Sequence, residues 1–156
     1  MQPRAETANQ GAKMADTSGR RLFIAGAVFL LVLGCVHSLS LVHDLVPSNE
    51  SEKQLLDLMS NYRFNLMGSM RSMDTLLRGF SISFMLAAFV VGALGLALRH
   101  ERAGLLKRVA LVNAIWLAVM TAVSLRYFFV MPTSFLVVGL AIFTFAWLKL
   151  PEETRS

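Results

Sequence analysis

An imidazole, a carboxylate and a guanidinium group occur in this chain where apolar surroundings make each of them expensive: His37, Asp44 and Arg78. At helical period His37, Ser40 and Asp44 fall within about 60° of one another, with Gly26 and Gly34 on the same face. Arg71, Asp74, Arg78 and Ser81 align in the same way, spaced at three and four for ion pairs along a helix. Polar side chains inside a membrane span usually face the bundle interior or a cavity. Two kinds of chemistry are open to such a set. His37 can exchange a proton or donate a hydrogen bond near neutral pH, and Arg78 or Arg126 can hold an anionic or carbonyl-bearing ligand. Alternatively the groups satisfy one another: His37 bonds a backbone carbonyl, Asp44 pairs with Arg78, and Arg126 snorkels to lipid phosphate. Arg126 lies about 140° from the face shared by Asn113, Met120 and Tyr127, which favours snorkelling.

The elements that must position these residues are read from hydropathy. Of 156 residues, 55% are hydrophobic and 16% charged, against about a quarter charged in soluble domains. The pattern is therefore that of an all-α membrane protein. Residues 1–19 are polar, lack an apolar period and read as a disordered tail. Residues 20–151 form a membrane domain with spans at about 22–46, 79–98, 105–129 and 133–150, each near the roughly 20 residues a bilayer requires. Residues 152–156 are a short tail. Pro47, Pro132 and Pro151 punctuate the spans. Arg20-Arg21 and the Leu33-Gly34-Cys35 segment faintly echo export and lipoprotein signals, but three further spans follow, so the first segment is retained as a helix.

Between the first two spans, residues 48–78 read as one amphipathic connector. Asn49 and Glu52 have the spacing of a capping box. Leu55, Met59, Tyr62, Leu66, Met70, Met73 and Leu77 recur at steps of four and three, as on one helix face. Gly68-Ser69 is the expected bend. Ser81, Met85, Ala88, Gly92 and Gly95 form a mostly small stripe on the second span, which allows close approach of a neighbouring helix in lipid.

Ten of the 15 basic residues lie in the N-terminal tail, the 99–108 loop and the C-terminal segment, while Lys53, Arg63, Arg71, Arg78 and Arg126 lie on the other side. The bias predicts cytoplasmic termini and an outward connector. It brings His37, Asp44, Arg78, Ser81, Ser83, Ser124, Arg126 and Tyr127 to the outer third of the membrane. His37, Asp44, Arg78, Ser81 and Tyr127 are the candidate ligand-binding residues.

Other chemistry finds little support. The net charge of +5 sits beside the spans and sets orientation, so no nucleic-acid partner is expected. Cys35 is the single cysteine, which excludes an internal disulfide. His43 and His100 do not share a face or a side with His37, so bis-histidine haem is not expected. No metal-ligand spacing, phosphate loop or nucleophile–base pair occurs, and no cofactor or catalytic residue is assigned. The connector methionines read as pliable packing.

Gly34-Cys35-Val36-His37, Gly79-Phe80-Ser81-Ile82-Ser83-Phe84 and Arg126-Tyr127-Phe128-Phe129 together resemble segments of a group of small, uncharacterised bacterial four-helix integral membrane proteins. The resemblance spans residues 22–150, implies a bacterial source and location in the inner membrane, and lends no catalytic residue. The expected role is non-enzymatic. The chain binds membrane lipid or a lipophilic small molecule, or serves as an accessory membrane subunit or homo-oligomer. A membrane enzyme acting on a quinone-like or lipid substrate through His37, and a small oligomeric transporter, are the rival readings.

Overall fold

A backbone that crosses hydrocarbon must satisfy its own hydrogen bonds, so four long apolar runs dictate four helices. The computed structural model describes residues 3–42 and 45–152, with the side chains of residues 3–15 and of Ser40 outside the description. Its order is α1 (Pro3–Ser40), α2 (Glu50–Asn61), β1 (Arg63–Leu66), β2 (Ser69–Ser72), α3 (Met73–Ala97), a 3-10 turn (Leu98–His100), α4 (Ala103–Tyr127) and α5 (Val130–Lys149). Among the described residues, four stretches are long and apolar enough to cross a membrane: Asp16–Leu39, Met73–His100, Ala103–Tyr127 and Val130–Lys149. The fold is all-α, and it fits a multi-pass membrane protein.

Helix boundaries follow local chemistry. α1 is helical back to Pro3, where composition alone reads as an unstructured tail. Ala, Glu, Gln and Lys are good helix formers, and extending an existing helix needs no new nucleus. α1 ends at Ser40, ahead of Pro47, in a tightened last turn. There the Leu41 N–H donates to Ser38 O (3.1 Å) and the Val42 N–H to Leu39 O (3.2 Å), the i→i+3 pattern that relieves free carbonyls. α5 begins at Val130 and carries Pro132 in its first turn, where a missing N–H costs nothing.

The connector departs from its spacing. It is not one amphipathic helix but α2, a two-stranded antiparallel hairpin and the start of α3. Asn49 caps α2 as expected, its Oδ1 accepting the Glu52 N–H at 2.9 Å. The helix then stops at Tyr62, whose backbone is extended. Arg63 pairs with Ser72 and Leu66 with Ser69 across the hairpin. Met67 and Gly68 form the two-residue loop with φ of 49° and 89°, the left-handed pair that a tight hairpin turn requires. The Gly68 N–H donates to Asn65 Oδ1 at 2.8 Å, which anchors the loop. Gly68 therefore reverses the chain where a bend had been expected, and Arg71 lies on β2, not in line with Asp74 and Arg78 on a helix. The Thr75 N–H donates to Ser72 Oγ (3.3 Å) and the two hydroxyls meet at 2.9 Å, so Ser72 supplies the cap-like acceptor that starts α3.

The residues sort into two compact units, one of 1–31 with 90–156 and one of 32–89. In the first, Phe23, Ala27 and Leu30 of α1 are buried, as are Leu106, Ala110 and Leu117 of α4 and Leu136, Phe143 and Ala146 of α5. Small residues set its closest approaches. A Cβ on Gly92 would lie 2.9 Å from Ala27 O, and one on Gly95 2.8 Å from the Ala27 Cβ. The Ala88–Gly92–Gly95 part of the small stripe is thus buried, and its two glycines are filled by α1. The α4–α5 turn is fastened by a buried hydroxyl pair, Ser124 Oγ to Thr133 Oγ1 at 2.7 Å. Arg20 Nη1 donates to the carbonyls of Arg99 (2.7 Å) and Glu101 (2.9 Å), fixing the loop before α4. The second unit holds α2, the hairpin, and the parts of α1 and α3 within residues 32–89.

One testable consequence arises in the cap of α2. The Ser48 N–H donates to Glu52 Oε2 at 2.6 Å, and this bond holds the Glu52 carboxyl below its ordinary range. A depressed carboxyl contributes stability above its unfolded value and loses it as pH falls through the folded one. Protection of the amides at the start of α2, taken relative to their intrinsic exchange rate at each pH, is therefore expected to fall below the ordinary carboxyl range. Glu52→Gln should flatten that acid response. An unchanged acid profile in the variant would show that the carboxylate does not hold the cap.

Candidate functional site

In the second unit α1 and α3 bring two of the predicted residues together. His37 is half-buried, with its imidazole edge-on to Phe84 at a ring-centroid distance of 5.0 Å and an interplanar angle of 70°. A hydrogen bond joins it to the backbone of Ser81. Gly34, one turn earlier, clears the approach: a Cβ there would sit 3.0 Å from the Phe89 ring. Small residue, aromatic and imidazole thus repeat along one interface, with Gly34 against Phe89 and His37 against Phe84. The His37–Ser81 bond is one of the two outcomes open from the sequence, in which the histidine meets backbone.

Arg78 stands one turn before Ser81, and its Nε meets Asp74 Oδ2 at 3.0 Å. That i,i+4 pair is half-exposed, of a kind worth about 0.3–0.5 kcal/mol, so it orients the guanidinium more than it stabilises α3. Ser83 turns its hydroxyl back onto Gly79 O at 2.9 Å, as does Ser38 onto Cys35 O at 2.7 Å. Both hydroxyls are satisfied within their own helices. Asp44 lies outside the described residues. Tyr127 belongs to the first unit, where it is exposed and its ring carries Arg126 Cζ at 5.5 Å from the centroid. This cation–π contact lets the guanidinium lie along an aromatic face at the end of α4.

No family model, curated protein or solved structure matches this chain. His37 and the Ser81 backbone present a hydrogen-bonding edge on an apolar wall made by Phe84 and Phe89, which suits a molecule with one polar head and an apolar body. Phe84 and Phe89 are five residues apart on α3 and share no helical spacing that marks them as partners in the sequence; α1 meets both, through His37 and Gly34.

Proposed function

We propose that the protein is an integral membrane protein that binds a lipid or lipophilic small molecule without turning it over. In this reading the polar head of the ligand is recognised at His37 and Ser81. The observation that carries it is His37 itself. An ionisable residue within an apolar span marks a functional position, and here its ring stands edge-on to Phe84 at 5.0 Å. Phe84 and Phe89 supply apolar contact for the body of the ligand. The charge bias of the loops supports cytoplasmic termini, which puts this site on the outer side, with Arg78 and Asp74 at its mouth.

Native mass spectrometry with lipid analysis tests the assignment, comparing gently purified wild type with His37→Ala and His37→Gln. The wild type is expected to retain one specific lipophilic species that the alanine variant loses by tenfold or more. Gln keeps a hydrogen-bonding group and should recover part of the retention. Identical bulk-lipid spectra from all three proteins would remove the site. Conversion of a retained quinone by wild type but not by either variant would instead favour proton transfer by His37.

A further inference from the structure

The first unit carries a second feature of different chemistry. A cleft of about 290 Å³ is lined by Gly104, Lys107, Arg108 and Leu111 of α4, Trp147 of α5, and Glu152. Its walls change character along α4. Lys107 and Arg108 lie in the first two turns, whereas Leu111 and Trp147 line its apolar side. Tryptophan and basic residues together are the side chains that anchor protein at the headgroup level of a bilayer. Lys107 Nζ meets Glu152 Oε1 at 3.3 Å, with the lysine side chain only 19% exposed and the glutamate 88%. One partner is thus built into the wall and the other reaches in from solvent. Exposed carboxylates are weakly held in such pairs, so Glu152 can leave Lys107 readily.

We propose that this cleft binds the phosphate of an anionic phospholipid headgroup, whose oxygens displace the Glu152 carboxylate from Lys107. Lysine offers the phosphate a point charge, and arginine at the next position offers a planar fork. Leu111 and Trp147 accept the glycerol and the first methylenes of the chains. Glu152 acts as an internal competitor that keeps Lys107 paired when the cleft holds no lipid. A membrane source is favoured over a soluble phosphate because the apolar wall continues along α4 and α5, both apolar enough to be spans. This site is independent of the His37 reading, and its test can fail without touching that one.

The experiment is native mass spectrometry of the full chain in detergent, titrated with phosphatidylglycerol or phosphatidylcholine of the same acyl chains, and separately with glycerol 3-phosphate. Wild type is expected to retain phosphatidylglycerol at least tenfold better than phosphatidylcholine. Lys107→Gln and Arg108→Gln should each lose most of that preference, and Lys107→Arg should keep it. Glu152→Gln should raise retention several-fold, a gain that a misfolded chain cannot mimic. His37→Ala should leave the preference unchanged. Equal retention of the two lipids, an unaltered preference in Lys107→Gln, or weaker binding in Glu152→Gln would each overturn the proposal. Binding of glycerol 3-phosphate without lipid preference would overturn the membrane source and assign the cleft to a soluble phosphate.

Discussion

Gly92→Leu is expected to unpack the first unit, whereas Gly79→Leu in the same helix should leave the protein as stable as before or slightly firmer. At position 92 an added Cβ would lie 2.9 Å from Ala27 O and 2.9 Å from Leu31 Cγ. The leucine could swing aside, but the carbonyl is part of the α1 hydrogen-bond ladder, so the two helices must part. In lipid, helix association rests on close packing with no hydrophobic force to restore it, and dispersion falls steeply with a gap of even 1 Å. Overpacking costs about 1–3 kcal/mol and occasionally more; a clash with backbone belongs at the upper end. Gly79 has no atom within 4 Å of where its Cβ would be, and replacing glycine in a helix gains roughly 0.5–1 kcal/mol. Thermal unfolding in detergent checks the pair. Opposite signs are expected, and an equal fall in both variants would mean that α3 merely tolerates leucine poorly.

The part of the fold most legible in the sequence is the part that hydrocarbon dictates. Long apolar runs leave no alternative to helices, and glycines at 92 and 95 announce a close neighbour without naming it. Ala27 as that neighbour was not readable, because nothing local couples residues so far apart in the chain. The connector shows the opposite case. Steps of four and three from Leu55 to Leu77 fit one helix face, yet only Leu55 and Met59 of that series lie in α2. Tyr62 caps it, Leu66 and Met70 are in strands, and Met73 and Leu77 open α3. The signal that decides is Gly68 two residues beyond the end of a strand, weakened by a Met67 where Asn or Asp would have declared the turn. That same hairpin takes Arg71 out of line with Asp74 and Arg78.

The site divides along similar lines. His37 and Ser81 were legible as polar residues in apolar surroundings, and their meeting follows from α1 and α3 packing together within the second unit. The Lys107–Glu152 cleft was not legible, since the basic residues of the 99–108 loop read only as orientation charges and Glu152 only as the start of a short tail. What joins them is the hairpin of α4 and α5, which returns the chain so that residues 45 apart form one ion pair. Charge bias in a loop and a built anion site look alike until the return helix is placed.

The second large effect concerns Phe143, which fills the centre of the first unit. Its ring is 1% exposed and stands perpendicular to Phe23, centroids 6.1 Å apart at 83°. A Cβ on Gly26 would lie 2.8 Å from its Cζ and 2.9 Å from Cε2, so the glycine is the recess that the ring edge enters. Phe143→Ala is expected to cost about 3–5 kcal/mol, since aromatic truncation leaves a void that helices pinned at the Ser124–Thr133 turn cannot close. Gly26→Ala alone presses on a ring that Phe23 holds in place, at about 1–3 kcal/mol. Combined, the two changes should not add, because the alanine methyl enters space that the lost ring has vacated. A cycle of unfolding free energies should show the double variant at least about 1 kcal/mol more stable than the sum of the singles predicts. Additivity within about 0.5 kcal/mol would mean that α1 and α5 do not interlock here, and that the burial of Phe143 rests on α4 instead.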